Sequence, residues 1–76
     1  MPHIIVKLYP GKSERQKHAL AQAVTDAAMG ALNYGEESVS VGIEDVEPWD
    51  WTEQVYKPDI IGKPETIYKK PGYDPR

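Results

Sequence analysis

Apolar and polar positions alternate at the start of the chain. In residues 3–9, HIIVKLY, the residues Ile4, Val6 and Leu8 fall on one side and Ile5, Lys7 and Tyr9 on the other. This period of two, rich in β-branched residues, predicts a strand. Pro10-Gly11 then breaks the pattern. Ser13 followed three residues later by Gln16 has the spacing of a capping box, in which each side chain satisfies a backbone group left open by the first helical turn. Ala19, Leu20, Ala23, Val24, Ala27, Ala28, Ala31 and Leu32 recur at steps of three and four, predicting one apolar stripe of a helix from about 14 to 33. Asn33 and Gly35 tolerate positive φ and mark its end. Alternation resumes in residues 38–46, SVSVGIEDV, through Val39, Val41 and Ile43, and Pro48 closes this second strand. A strand, helix and second strand with this connection length predict an α/β unit with parallel pairing and a right-handed crossover.

Two parallel strands under one alanine-lined helix make an incomplete sheet, because parallel sheets ordinarily have several strands and two covered faces. The chain has 76 residues and no cysteine. A domain of that size buries only about 60% of the surface its unfolded chain exposes, so a disulfide, a metal or a partner subunit is the usual brace. Disulfides are excluded, and His3 and His18 stand apart, without the paired Cys or His spacing of a zinc site. Neither a metal nor a cofactor is expected. The missing strands are expected from other copies of the chain, as a homo-oligomer.

Beyond Pro48 the periodicity weakens. Residues 49–57 read as a short helix capped by Asp50, with Trp51, Val55 and Tyr56 on one side, ended by Pro58. Residues 64–70, PETIYKK, read as another, with proline at its start and Lys69-Lys70 at the end where the helix dipole favours cations. Prolines at 58, 64, 71 and 75, interleaved with aromatics, describe an arm laid over a surface and not a disordered linker. The expected organisation is one domain, residues 1–76, with a β-α-β core at 1–48 and a short helical arm at 49–76.

Net charge is -3, which argues against a protein held to nucleic acid by phosphate contacts. Residues 1–35 carry four basic and two acidic groups, residues 36–60 one and eight, and residues 61–76 four and two. Two basic ends around an acidic middle describe either a solvated surface or basic ends gathered about an anionic ligand. No apolar run reaches the ~18 residues of a membrane span, and a cytoplasmic protein is expected.

Pro2 directly follows Met1. Methionine before a small residue is ordinarily removed, which leaves Pro2 as a secondary amine aimed by the strand that starts at His3. An α-amino group titrates near pKa 8, and apolar burial or nearby positive charge brings it toward neutrality, where it can serve as a general base.

The opening MPHIIVKLYPGKSERQK, the helix, SVSVGIEDV, the run from Trp51 to Tyr56 and the closing KKPGY together resemble the tautomerase superfamily. The resemblance is to its small 4-oxalocrotonate tautomerase-like members, in particular the group whose arm ends in KKPGY. It implies a β-α-β protomer whose dimers join four strands into one sheet, some assembling further into trimers of dimers. It also implies keto-enol proton transfer by the amino-terminal proline, which is Pro2 here. Lys12 and Ser40 stand where well-studied members carry two arginines that hold a substrate carboxylate and polarise its carbonyl. Lysine keeps the charge without the planar two-pronged grip, and serine has no charge. The implied substrate is therefore a keto or enol monocarboxylic acid such as phenylenolpyruvate, bound by Lys12, Ser40 and Trp51, the last as an aromatic wall beside the proline. Two alternatives stay open. One is a proline-dependent hydratase, dehalogenase or decarboxylase, with Glu44 or Glu53 activating water. The other is a non-catalytic assembly module, if Met1 is retained and the Pro2 nitrogen is an amide. The several prolines of the arm favour a dimer over a hexamer.

Overall fold

In a computed structural model describing residues 1–76, β1 spans His3–Leu8, α1 Glu14–Leu32 and β2 Ser40–Asp45. Gly11 turns the chain after β1 at φ 118°, a conformation open to glycine alone at little cost. The capping box forms as its spacing predicts. The Ser13 hydroxyl accepts from the Gln16 N–H at 3.1 Å, and the Ser13 N–H donates to Gln16 Oε1 at 2.9 Å. Asn33 ends α1 in the left-handed conformation, φ 60° and ψ 45°, its N–H donating to the Met29 carbonyl.

β1 and β2 pair in parallel, with His3 opposite Ser40, Ile5 opposite Gly42 and Leu8 opposite Asp45. The second strand is shorter than residues 38–46 because Glu36–Ser38 forms a 3-10 turn. In that turn the Ser38 N–H bonds to Gly35 and the Val39 N–H to Glu36, which removes both groups from the ladder. Strand pleating puts Ile4, Val6, Leu8, Val41, Ile43 and Asp45 on one face, and α1 lies against it, with Lys17 hydrogen-bonded to Asp45 at 3.0 Å. The half-buried stripe of α1 contains Lys17, Ala21, Val24 and Ala28. Of the apolar stripe read from the sequence, Val24 and Ala28 lie on this line. Leu20, Ala23, Ala27 and Leu32 stay exposed, because a two-stranded sheet is too narrow to cover them. No residue of Met1–Asp45 is fully buried.

Met1–Asp45 forms one compact unit and Val46–Arg76 a second. The second opens with a 3-10 turn at Pro48–Asp50 and continues as a π-helix over Thr52–Ile61. The expected stop at Pro58 is corrected, since Pro58 lies inside this helix. In an α-helix its ring would press on the carbonyl four residues back, whereas the wider π turn moves that carbonyl aside. The helix closes with the Gly62 N–H on the Lys57 carbonyl at 2.8 Å. A Cβ at Gly62 would stand 2.9 Å from the Lys57 and Pro58 carbonyl oxygens, so only glycine fits there. The expected helix at 64–70 reduces to a 3-10 turn at Pro64–Thr66, and Lys69-Lys70 lies outside any helix.

Val46, Val55 and Tyr56 are the buried apolar residues. The Tyr56 and Tyr73 rings lie 5.8 Å apart at 45°, and the Arg76 guanidinium sits 5.4 Å from the Tyr56 ring centre. The Trp51 indole N–H donates to the Tyr73 hydroxyl at 3.0 Å. These contacts order the proline-rich tail without regular secondary structure. No helix is long and apolar enough to cross a membrane.

Candidate active site

Pro2 lies immediately ahead of β1 and is already tied to the sheet, because its carbonyl accepts from the Ser40 N–H at 3.2 Å. It is half-buried, while Met1 before it is 93% exposed and accessible for removal. Proline fits here because a strand's first residue needs no ladder donor. Ser40 is therefore beside Pro2, as the first residue of β2. Its hydroxyl is not free, since Oγ lies 2.6 Å from His3 Nδ1.

Lys12 lies at the other end of β1, in the turn before Ser13. Leu8 lies six residue steps along the chain from Pro2, about 20 Å at roughly 3.3 Å each. With Val6, Leu8, Gln16, Lys17 and Leu20, Lys12 lines a cavity of about 270 Å³ walled mainly by aliphatic carbon. The two lysines differ in state. Lys17 is bound to Asp45 at 3.0 Å and lies 3.6 Å from Glu14. The Asp45 hydrogen bond, reinforced by both carboxylate charges, holds its ammonium above the ordinary 10.5. Lys12 makes no ion pair, which leaves its charge available to an anion.

Trp51 belongs to the second unit, half-buried, with its indole N–H turned to Tyr73. Of the two carboxylates considered for activating water, Glu53 is paired with Lys57 at 2.7 Å and Glu44 stands opposite Lys7 in the sheet register. No group of three or more His, Cys, Asp or Glu is arranged to hold a metal ion. Within one protomer, then, Pro2, His3 and Ser40 are together, while Lys12 lies at the far end of the strand. Sequence reasoning assigned His3 no role beside Pro2 and gave none to Tyr73. Strand register reveals the first, and the KKPGY segment holds the second.

The sequence pattern of the family described as "Tautomerase enzyme" matches residues 2–55. Among individual proteins, the chain is 45% identical over 73 residues to a "Probable tautomerase" of Xylella fastidiosa, spanning 96% of this chain and 89% of that one. It is 38% identical over 74 residues to the tautomerase PptA of Escherichia coli strain SMS-3-5, spanning 96% and 97%. Both relatives extend well past residue 55 and so include the arm. Among solved structures, TomN, a 4-oxalocrotonate tautomerase homologue of the tomaymycin biosynthetic pathway, superposes with a TM-score of 0.64 at 38% identity, covering 66% of this chain and 77% of that one. The β-α-β arrangement is thus that of the 4-oxalocrotonate tautomerase fold, and the chain belongs to the tautomerase family of isomerases.

Proposed function

We propose that the protein is a keto-enol tautomerase acting on a small 2-keto or enol monocarboxylic acid, phenylenolpyruvate being the model substrate, with Pro2 as general base and then acid. The observation that carries this reading is the attachment of Pro2 to the sheet through Ser40, at the point where removal of exposed Met1 frees a secondary amine. A neutral amine there takes the proton from the enol hydroxyl and returns it to carbon, giving the ketone with no net change in atoms. Lys12 supplies one cation for the substrate carboxylate, and Ser40, having no charge, offers no second. Trp51 walls the ring of the substrate.

With Pro2 ahead of one end of β1 and Lys12 beyond the other, the two serve one substrate from different copies. Two protomers joined edge to edge with their strands antiparallel would bring the start of one β1 toward the end of the other. The two-stranded sheet with both outer edges open, and exposed Leu20 and Leu32 on α1, support such a homodimer, which we favour over a hexamer. A cytoplasmic location accompanies the reading.

The test is ketonisation of phenylenolpyruvate by protein whose loss of Met1 has been verified by intact mass. Pro2→Ala should lower kcat by about 10²- to 10⁴-fold, the usual contribution of a positioned base. Equal rates for the two proteins refute the proposal.

A further inference from the structure

Ser40 is bound to both residues that begin the first strand. Its N–H reaches the Pro2 carbonyl at 3.2 Å, and its hydroxyl reaches His3 Nδ1 at 2.6 Å. The register makes His3 and Ser40 direct partners, with side chains on the sheet face opposite α1. Strand ends fray when nothing holds them, and here β1 has a single neighbour. The side-chain bridge closes the pair from outside the ladder, one residue from the reactive nitrogen.

The chemistry suits a fixed support. A hydroxyl both donates and accepts. With the ring proton on Nε2, Nδ1 accepts from the Ser40 hydroxyl, and with a proton on Nδ1 it donates to the Ser40 oxygen, so either arrangement of ring protons makes the bridge. Proline's ring fixes its own φ. With the Pro2–His3 peptide plane held by Ser40, rotation about the Cα–C bond of Pro2 is the one backbone freedom left to the amine.

We propose that His3 and Ser40 form a clamp that restricts the direction of the Pro2 amine to rotation about that one bond, both serving as positioning residues. The inference rests on Pro2 as the base. It gives Ser40 a role exerted through His3 and Pro2 and not by contact with substrate. Proton transfer is sensitive to such support, since a displacement of about 1 Å can cost about 10²-fold in rate.

Five variants test it, with Pro2→Ala as the control, each checked for Met1 loss by mass and for assembly by size exclusion. His3→Phe and Ser40→Ala should each lower kcat about tenfold or more with KM within about twofold, and the double variant should be no worse than either single one. His3→Asn, which keeps a polar atom near the Nδ1 position, and Ser40→Thr, which keeps the hydroxyl, should restore most of the rate. Wild-type kcat in His3→Phe and Ser40→Ala, beside an inactive Pro2→Ala, overturns the clamp and leaves the base intact. A raised KM at unchanged kcat in Ser40→Ala makes Ser40 a substrate contact and also overturns it. Full activity in Pro2→Ala removes both proposals together. Should the two disruptive variants fail to assemble, loss of rate in assembled Ser40→Thr or His3→Asn overturns the clamp, and retention supports it.

Discussion

Replacing Ser13 with alanine removes the hydroxyl at the head of α1. Two bonds go with it, acceptance from the Gln16 N–H at 3.1 Å and donation to Gln16 Oε1 at 3.3 Å, while the Ser13 N–H keeps its 2.9 Å bond to Gln16 Oε1. Ser13 is exposed, so water takes up the freed amide and the cost falls near the middle of the usual range for a lost cap, about 1 kcal/mol. For a domain of this length that is a fall of about 4–8 °C in Tm. The assay is thermal unfolding at one fixed protomer concentration, because association would add its own concentration dependence. Gln16→Ala removes the reciprocal half, and the double variant should cost less than the sum, by about 0.5 kcal/mol or more. Ser13→Asp keeps an acceptor and places a negative charge at the positive end of the helix, so its Tm should stay near wild type. If Ser13→Ala matches wild type within about 1 °C, or if Ser13→Asp falls as far as Ser13→Ala, the capping argument is wrong.

Lys12→Ala should lower kcat/KM for a carboxylate substrate about tenfold or more, mostly through KM, as steady-state kinetics would read; an unchanged KM would exclude Lys12 as the anion site. The Lys17–Asp45 contact should give stability a defined pH dependence. The Asp45 hydrogen bond raises the Lys17 pKa above 10.5, so its stabilisation is fully present below that value and is lost as pH rises through the higher folded-state value. The Tm gap between wild type and Asp45→Asn should therefore be constant from about pH 8 to 10 and close above it; a gap undiminished at about pH 12 would contradict this.

How much of the molecule could be read in advance depended on how local its causes are. The 3–9 alternation, the Ser13/Gln16 spacing and the Asn33 stop each rest on residues a few positions apart, and each appears in the structure within a residue or two. Pro58 did not end its helix because a proline stops an α turn, and nothing in residues 52–61 announces the wider π turn. The apolar stripe of α1 is broader than the face it buries, because periodicity records which residues are apolar and not how wide a sheet is available to cover them. At the site, the position of Pro2 followed from the strand it precedes. His3 did not, since its partner is 37 residues away and only strand register brings Ser40 opposite it. Tyr73 met Trp51 through a turn that no repeat predicts.

The length of β1 has a kinetic consequence. If six strand residues separate the base from the cation within a protomer, each chain carries two half-sites and no whole one. Turnover then vanishes on dilution below the dissociation constant of the pair, and the specific activity of a stock reports its own self-association. Two defective subunits, one lacking the amine and the other the lysine, would regenerate one working site when mixed, and the heterodimer's second site would carry both lesions.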